Sequence, residues 1–125
     1  MGTLRILIVE DDPDSNEVLR LLLEAANYEV RTAFSARAAI ELATEHAPDL
    51  AFIDIGLPEL DGFALLAVLR AQRELRQTKF VAITGYDLRM LPSSPTGGFD
   101  HYLLKPVGPE AILGAVSALF PAPDR

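Results

Sequence analysis

The 125-residue chain contains no cysteine, which excludes disulfides, thiolate metal sites and thiol catalysis. Positive charge is also scarce, because 11 Lys and Arg stand against 18 Asp and Glu, for a net charge of −7. Binding to nucleic acids or anionic membranes requires clustered Lys and Arg, so neither partner is expected. No apolar run reaches the roughly 20 residues that span a bilayer, and the opening residues, MGTLR, show no signal-peptide core. We therefore expect a cytoplasmic protein.

What the chain does contain is the material of a folded domain. Half of its residues are apolar and 23% are charged, which is typical of a globular protein rather than a disordered one. A chain of this length can bury roughly two thirds of its unfolded surface in one core. We expect a single domain over residues 1–125, with the segment PAPDR at 121–125 fraying from its end.

Short apolar runs alternate along the chain with longer segments of helical periodicity. Strands are predicted at 5–9, 28–34, 49–55, 79–84 and 101–105. Helices are predicted at 13–27, 36–46, 63–70 and 109–120, with Asp12 and Ser35 as N-caps. Strands separated by helices predict an α/β fold, in which helices cover both faces of a doubly wound, five-stranded parallel sheet.

Polar residues follow several of the predicted strands at their carboxyl ends: Glu10, Asp11, Asp54, Thr84 and Lys105. In doubly wound sheets, ligands bind outside this edge, near the point where the strand order reverses. If the first strand lies beside the third, Glu10, Asp11 and Asp54 share one acidic pocket. Carboxylates grouped in this way repel one another unless a cation neutralises them, and Mg²⁺ prefers such oxygen ligands. The sequence therefore predicts a Mg²⁺ site, with Mn²⁺ as an alternative ion.

Four segments carry a resemblance to a known family: VEDD at 9–12, DLAFIDIGLPELDG at 49–62, AIT at 82–84 and YLLKP at 102–106. In this order and spacing they resemble the receiver domain of two-component response regulators, of the chemotaxis-regulator type. The resemblance covers essentially the whole chain. It implies a flavodoxin-like three-layer sandwich with the strand order 2-1-3-4-5.

The resemblance also implies a reaction. Asp54 would accept a phosphoryl group from the phosphohistidine of a sensor histidine kinase or a histidine phosphotransfer protein. Asp11, Asp54 and the backbone carbonyl of Gly56 would hold Mg²⁺, and Glu10 would act mainly through a metal-bound water. A carboxylate that attacks a phosphoryl group meets strong repulsion, so positive charge beside it is physically required.

Further roles are implied for residues near the end of the sheet. Lys105 would pair with the phosphoryl oxygens, and Thr84 would donate its hydroxyl to the same group. Tyr102 matches the aromatic residue that turns inward when the threonine moves. The peptide bond between Lys105 and Pro106 would be cis.

The chain departs from the family pattern between Thr84 and Tyr102. The segment contains residues that are poor in helix interiors, namely Pro92, Pro95, Gly97 and Gly98. It predicts a short or degenerate fourth helix, which would alter the surface through which receivers usually signal. Output would still require a downstream protein target or a fused output domain, and the sequence leaves open whether the chain stands alone or belongs to a larger regulator.

Two positions that flank the site in the family bear on the lifetime of the phosphorylated form. Gly56 lies two residues after the phosphoacceptor, and Tyr86 lies two residues after Thr84. Relatives that hydrolyse faster often carry amide or acidic side chains there, which position the attacking water. Slow self-dephosphorylation is therefore expected.

Three other functions share parts of this pattern. A receiver-like docking domain that works without phosphorylation remains an alternative, because the predicted fourth helix is short or degenerate. A Mg²⁺-dependent phosphatase of the haloacid-dehalogenase type would need a second Asp where this chain has Gly56. A flavodoxin-like cofactor binder would need a Ser-, Thr- and Gly-rich loop after the first strand, where this chain is acidic.

Overall fold

The computed structural model describes residues 3–57, 62–85 and 98–121. The strands in these ranges are β1 (Arg5–Val9), β2 (Glu29–Ala33), β3 (Leu50–Asp54), β4 (Lys79–Thr84) and β5 (His101–Leu104). The helices are α1 (Pro13–Ala25), α2 (Ala36–Glu45), α3 (Gly62–Arg70) and α4 (Pro109–Leu119), with a short 3₁₀ helix at Arg73–Leu75. Every predicted strand and helix at these places is present, with ends that differ from the prediction by at most two residues.

Two predictions fall outside the described residues. The short or degenerate helix expected between β4 and β5 lies on residues 86–97, and all but the first residue of the fraying tail lies on 122–125. Among the helices that the structure describes, none combines the length and the hydropathy that crossing a bilayer requires.

The strands form one parallel sheet in the order β2-β1-β3-β4-β5. This confirms the predicted fold class and strand order. In the register, Val9 lies opposite both Ala33 and Ile53, Asp54 opposite Ile83, and Thr84 opposite Leu104. The carboxyl ends of all five strands therefore meet at one edge of the sheet.

Two hydrophobic clusters fill the space between the sheet and the helices on its two faces. β3 is buried along its full length, because helices cover both of its faces. One cluster joins the sheet to α2 and α3 through Leu7, Val9, Ala39, Ala43, Ile53, Leu65 and Leu69. The other joins it to α1 and α4 through Ile6, Ile8, Leu19, Leu23, Phe52, Ile112 and Val116. The alternation along each strand assigns successive side chains to opposite layers.

The predicted N-caps are present where α1 and α2 begin. Asp12 is extended, and its Oδ2 accepts hydrogen bonds from Ser15 N at 2.9 Å and from Ser15 Oγ at 2.7 Å. Ser35 Oγ accepts a hydrogen bond from Ala38 N at 3.1 Å. Each side chain satisfies a backbone N–H that the first turn of a helix leaves without a partner. The turn after β1, which carries the acidic residues, is therefore locally well defined.

Candidate functional site

Three carboxylates converge at the carboxyl edge of the sheet. Glu10 and Asp11 follow β1, and Asp54 ends β3, which lies beside β1. Each offers one carboxylate oxygen, and these oxygens lie within 4.8 Å of one another. Glu10 is 2% exposed and Asp54 is 7% exposed, whereas Asp11 faces solvent. The pocket expected for adjacent first and third strands is therefore present, with Asp11 on its open side.

Lys105 brings the positive charge to this pocket. It follows β5, and its backbone N–H donates to Thr84 O at 2.7 Å, which extends the β4–β5 ladder beyond the last strand residue. Its Nζ lies 3.2 Å from Asp54 Oδ2 and 3.4 Å from Glu10 Oε1. The peptide bond from Lys105 to Pro106 is cis, as the family resemblance implies. One ammonium group thus contacts two of the three carboxylates.

The charges in the pocket change the titration of its members. Burial raises the pKa of Glu10 from an ordinary 4.5 to about 7, and the charge of Asp54 and its hydrogen bond add to this effect. The Asp12 N–H, 3.1 Å from Glu10 Oε2, and the Lys105 ammonium act in the opposite direction. For Lys105, burial lowers the pKa, but the hydrogen bond and charge of Asp54, together with Glu10, outweigh it and raise the pKa.

The site therefore has more negative charge than its own lysine neutralises. Hard oxygen donors from Glu10, Asp11 and Asp54 are the ligands that Mg²⁺ prefers, whereas zinc sites are dominated by Cys and His. Burial and the charge of Asp54 raise the pKa of Glu10, and a cation in the pocket would favour its ionised form instead. The residues present fit a divalent metal ion of the magnesium type.

The loop after β3 is held close to the phosphoacceptor candidate. Gly56 N donates to Asp54 Oδ1 at 3.0 Å, and Gly62 N donates to Ile55 O at 2.8 Å. A Cβ at Gly62 would lie 2.6 Å from Ile55 Cα, closer than packed atoms approach. Only glycine allows α3 to begin so near the backbone that follows Asp54.

Thr84 and Tyr102 lie on the same face of neighbouring strands. Thr84 ends β4 and is 1% exposed. Ala82, two residues before it, lies opposite Tyr102 and belongs to the cluster under α2 and α3, against which Tyr102 also packs. Because side chains repeat with a period of two along a strand, Thr84 projects from that face too. Tyr86, the second lifetime position, lies outside the described residues.

Tyr102 is integrated into an aromatic group that also includes residues from α3 and from the segment before β5. Its Oη accepts a hydrogen bond from Phe99 N at 3.1 Å, and the two rings meet edge to face with centroids 5.7 Å apart. Phe99 in turn meets Phe63 at 5.5 Å in the same way. Sequence reasoning did not identify Phe99, because its contact with Phe63 on α3 is made only in the folded chain.

Sequence reasoning also missed Asn16, which is buried in the first half of α1. Its Nδ2 donates to Glu10 O at 2.9 Å and to Ala33 O at 3.3 Å. A signal was available, since Asn16 shares the inner face of α1 with Leu19 and Leu23. A polar residue at such a position requires a buried hydrogen-bond partner.

The chain is similar in sequence and fold to known proteins. Residues 6–117 match the model of the response regulator receiver domain family. The polar-differentiation response regulator DivK of Brucella ovis is 35% identical over 106 residues, which cover 84% of this chain and 86% of the relative. Among solved structures, a CheY-like receiver domain from Methylobacillus flagellatus is 30% identical with a TM-score of 0.85, covering 94% of this chain and 99% of the other.

A further solved structure is the response regulator protein TrrA from Thermotoga maritima in complex with Mg(2+)-BeF. It is 25% identical with a TM-score of 0.82, covering 94% of this chain and all of the other. The high TM-scores agree with the fold described above. The chain belongs to the response regulator receiver domain family.

Proposed function

We propose that this protein is a phosphoacceptor signalling module, one receiver domain over residues 1–125, in which Asp54 takes a phosphoryl group from a phosphohistidine. The donor is a sensor histidine kinase or a histidine phosphotransfer protein, and the reaction depends on Mg²⁺. The observation that carries the proposal is the convergence of Glu10, Asp11 and Asp54, with Lys105 Nζ 3.2 Å from Asp54 Oδ2.

In the reaction, an oxygen of Asp54 attacks the phosphorus atom of the donor. The new O–P bond forms as the N–P bond breaks, and the donor imidazole keeps the electron pair and takes up a proton. The product is an aspartyl phosphate of the kind formed in covalent catalysis. The chain catalyses only its own phosphorylation and dephosphorylation, so it is not an enzyme acting on other substrates.

Each charged residue of the pocket has a distinct part in this step. Lys105, already within hydrogen-bond distance of Asp54, stabilises negative charge on the incoming phosphoryl oxygens as a point charge. Asp11, Asp54 and the Gly56 carbonyl would hold the ion, and Glu10 would act through a bound water. Mg²⁺ supplies neutralisation of the carboxylates and of the transferring group. The complex of TrrA with Mg(2+)-BeF supports Mg²⁺ as the ion, since that chain is similar to this one.

Signalling would follow from the new phosphoryl oxygens. We propose that they recruit the Thr84 hydroxyl, and that Tyr102 changes its packing in response, which alters a partner-binding surface. The shared face of Thr84 and Tyr102 supports this coupling. The recipient is a downstream protein or a fused output domain. A cytoplasmic location, without nucleic-acid or membrane partners, stays a prediction from the charge of the chain.

The lifetime proposal concerns Gly56 and Tyr86. A glycine offers no side chain to orient an attacking water, so the aspartyl phosphate is expected to decay slowly. A Cβ at Gly56 would make only an ordinary contact, 3.8 Å from Asp54 Oδ1, so Gly56→Asn is compatible with the fold. The double variant Gly56→Asn and Tyr86→Glu should lose the phosphoryl group faster than wild type. Intact mass measured at intervals after removal of the donor gives the decay rate. An unchanged decay rate would contradict the proposal.

The central experiment incubates the protein with Mg²⁺ and a small phosphoryl donor and measures its intact mass. Wild type should gain one phosphoryl group, and Asp54→Asn should gain none. Asp49→Asn provides a matched control, because Asp49 precedes the same strand at its opposite end, where its Oδ2 accepts from Arg5 N. It should be phosphorylated like wild type. A wild type that gains no mass with Mg²⁺ would favour the docking domain that works without phosphorylation.

A further inference from the structure

Asn16 holds the backbone at the point where the acidic pocket begins. It is 1% exposed, and its amide group reaches from α1 to the carbonyl oxygens of Glu10 and Ala33. Ala33 O also accepts the Glu10 N–H at 3.0 Å, so β1, β2 and α1 meet at this amide. Burying an amide group lowers the stability of a protein unless the group makes hydrogen bonds, and the Asn16 amide makes two to backbone carbonyls.

The consequence for the site follows from the planarity of the peptide bond. The Glu10 carbonyl belongs to the peptide unit that joins Glu10 to Asp11, and Asn16 holds it at 2.9 Å. The N–H of Asp12 belongs to the next peptide unit, and it donates to Glu10 Oε2 at 3.1 Å. Both peptide units that flank Asp11 are therefore fixed. Together they set the direction in which the exposed Asp11 side chain leaves the backbone.

We infer that Asn16 is a positioning residue for the metal site, which it serves by orienting Asp11 toward Glu10 and Asp54. This inference rests on the proposed function, because it assumes that the pocket binds Mg²⁺. Asn16 contacts the backbone and contributes no ligand of its own. Removing groups that orient metal ligands typically weakens metal binding by about 10- to 100-fold.

The test is a Mg²⁺ titration of the whole protein, monitored through nuclear magnetic resonance chemical shifts. Thermal unfolding without the metal measures the stability of each variant. Asn16→Ala should weaken Mg²⁺ binding about tenfold or more while the protein remains folded at the temperature of the titration. Asn16→Ser, which keeps one hydroxyl donor, should weaken binding less. If the alanine variant does not fold, the Mg²⁺ affinity of Asn16→Ser is compared with that of wild type instead.

Thr78→Val is the matched control. Thr78 is also buried, and its Oγ1 donates to Pro48 O at 2.7 Å, but it lies before β4, at the opposite end of the sheet from the pocket. The control should lose stability and keep the Mg²⁺ affinity of wild type. If Asn16→Ala likewise loses stability but keeps the Mg²⁺ affinity of wild type, Asn16 is merely structural and the inference is wrong. If wild type itself binds no Mg²⁺, the proposed function fails instead.

Discussion

Without a metal ion, Glu10 should make the folded protein less stable as the pH rises from about 4.5 to about 7. Its pKa is about 7 in the folded protein, against an ordinary 4.5 that applies to the unfolded chain. Between these values the folded state binds more protons than the unfolded state, so the free energy of unfolding falls with increasing pH. At about 1.4 kcal/mol per pH unit, this interval corresponds to roughly 3 kcal/mol.

The substitution Glu10→Gln isolates this contribution. Glutamine keeps the size and hydrogen-bonding capacity of a protonated glutamic acid but does not titrate. With a chelator present, the variant and wild type should have similar free energies of unfolding near pH 4.5. By pH 8 the variant should be more stable by up to about 3 kcal/mol, a figure that already includes the attraction between Lys105 and the charge of Glu10. Urea unfolding followed by circular dichroism across this pH range measures the difference directly.

Mg²⁺ should reverse the order of stability. An ion that binds only the folded state stabilises it by mass action, and wild type retains the full set of carboxylates. Glu45→Gln, at an exposed position that ends α2, controls for the change in net charge alone. A difference between Glu10→Gln and wild type that does not vary between pH 4.5 and 8 would refute the electrostatic account of the pocket.

Two further substitutions test how the site is supported. Gly62→Ala should destabilise the protein by about 1–3 kcal/mol in urea unfolding, since its Cβ would overlap Ile55 Cα. Its control is Gly114→Ala in α4, where a Cβ meets nothing within 4 Å, and this variant should be more stable by roughly 0.5–1 kcal/mol. Equal effects of the two substitutions would contradict the close approach of Gly62 to Ile55. Tyr102→Phe removes the acceptor of the Phe99 N–H and should cost about 1 kcal/mol, measured in the same way, and an unchanged stability would show that this hydrogen bond contributes nothing.

Much of the local structure follows from short stretches of sequence. The continuous apolar run of β3 requires burial on both faces, and Asp12 followed by Pro13 marks the start of α1. Such features depend on interactions between residues close in the chain, so they can be predicted from periodicity and capping preferences. The placement of polar residues at strand ends likewise identifies Asp54 and Lys105 as candidates for the site.

The sequence alone, without the family resemblance, could not establish which strands are neighbours. Periodicity predicts that β1 and β3 are both buried, but it does not specify that they pair with each other, as they do in the folded sheet. That adjacency brings Asp54 to Glu10, and the position of β5 beside β4 brings Lys105 to Asp54 from 51 positions along the chain.

Local chemistry in the sequence is thus enough to specify the strands, the helices, their caps and the identity of the charged side chains. The packed molecule decides instead which charges meet, why Gly62 must lack a side chain, and how Asn16 holds the turn that carries Asp11. The charges that meet come from segments remote in the chain, whereas the contacts of Gly62 and Asn16 depend on how a helix packs against the end of the preceding strand. Only the close packing of the core sets such distances.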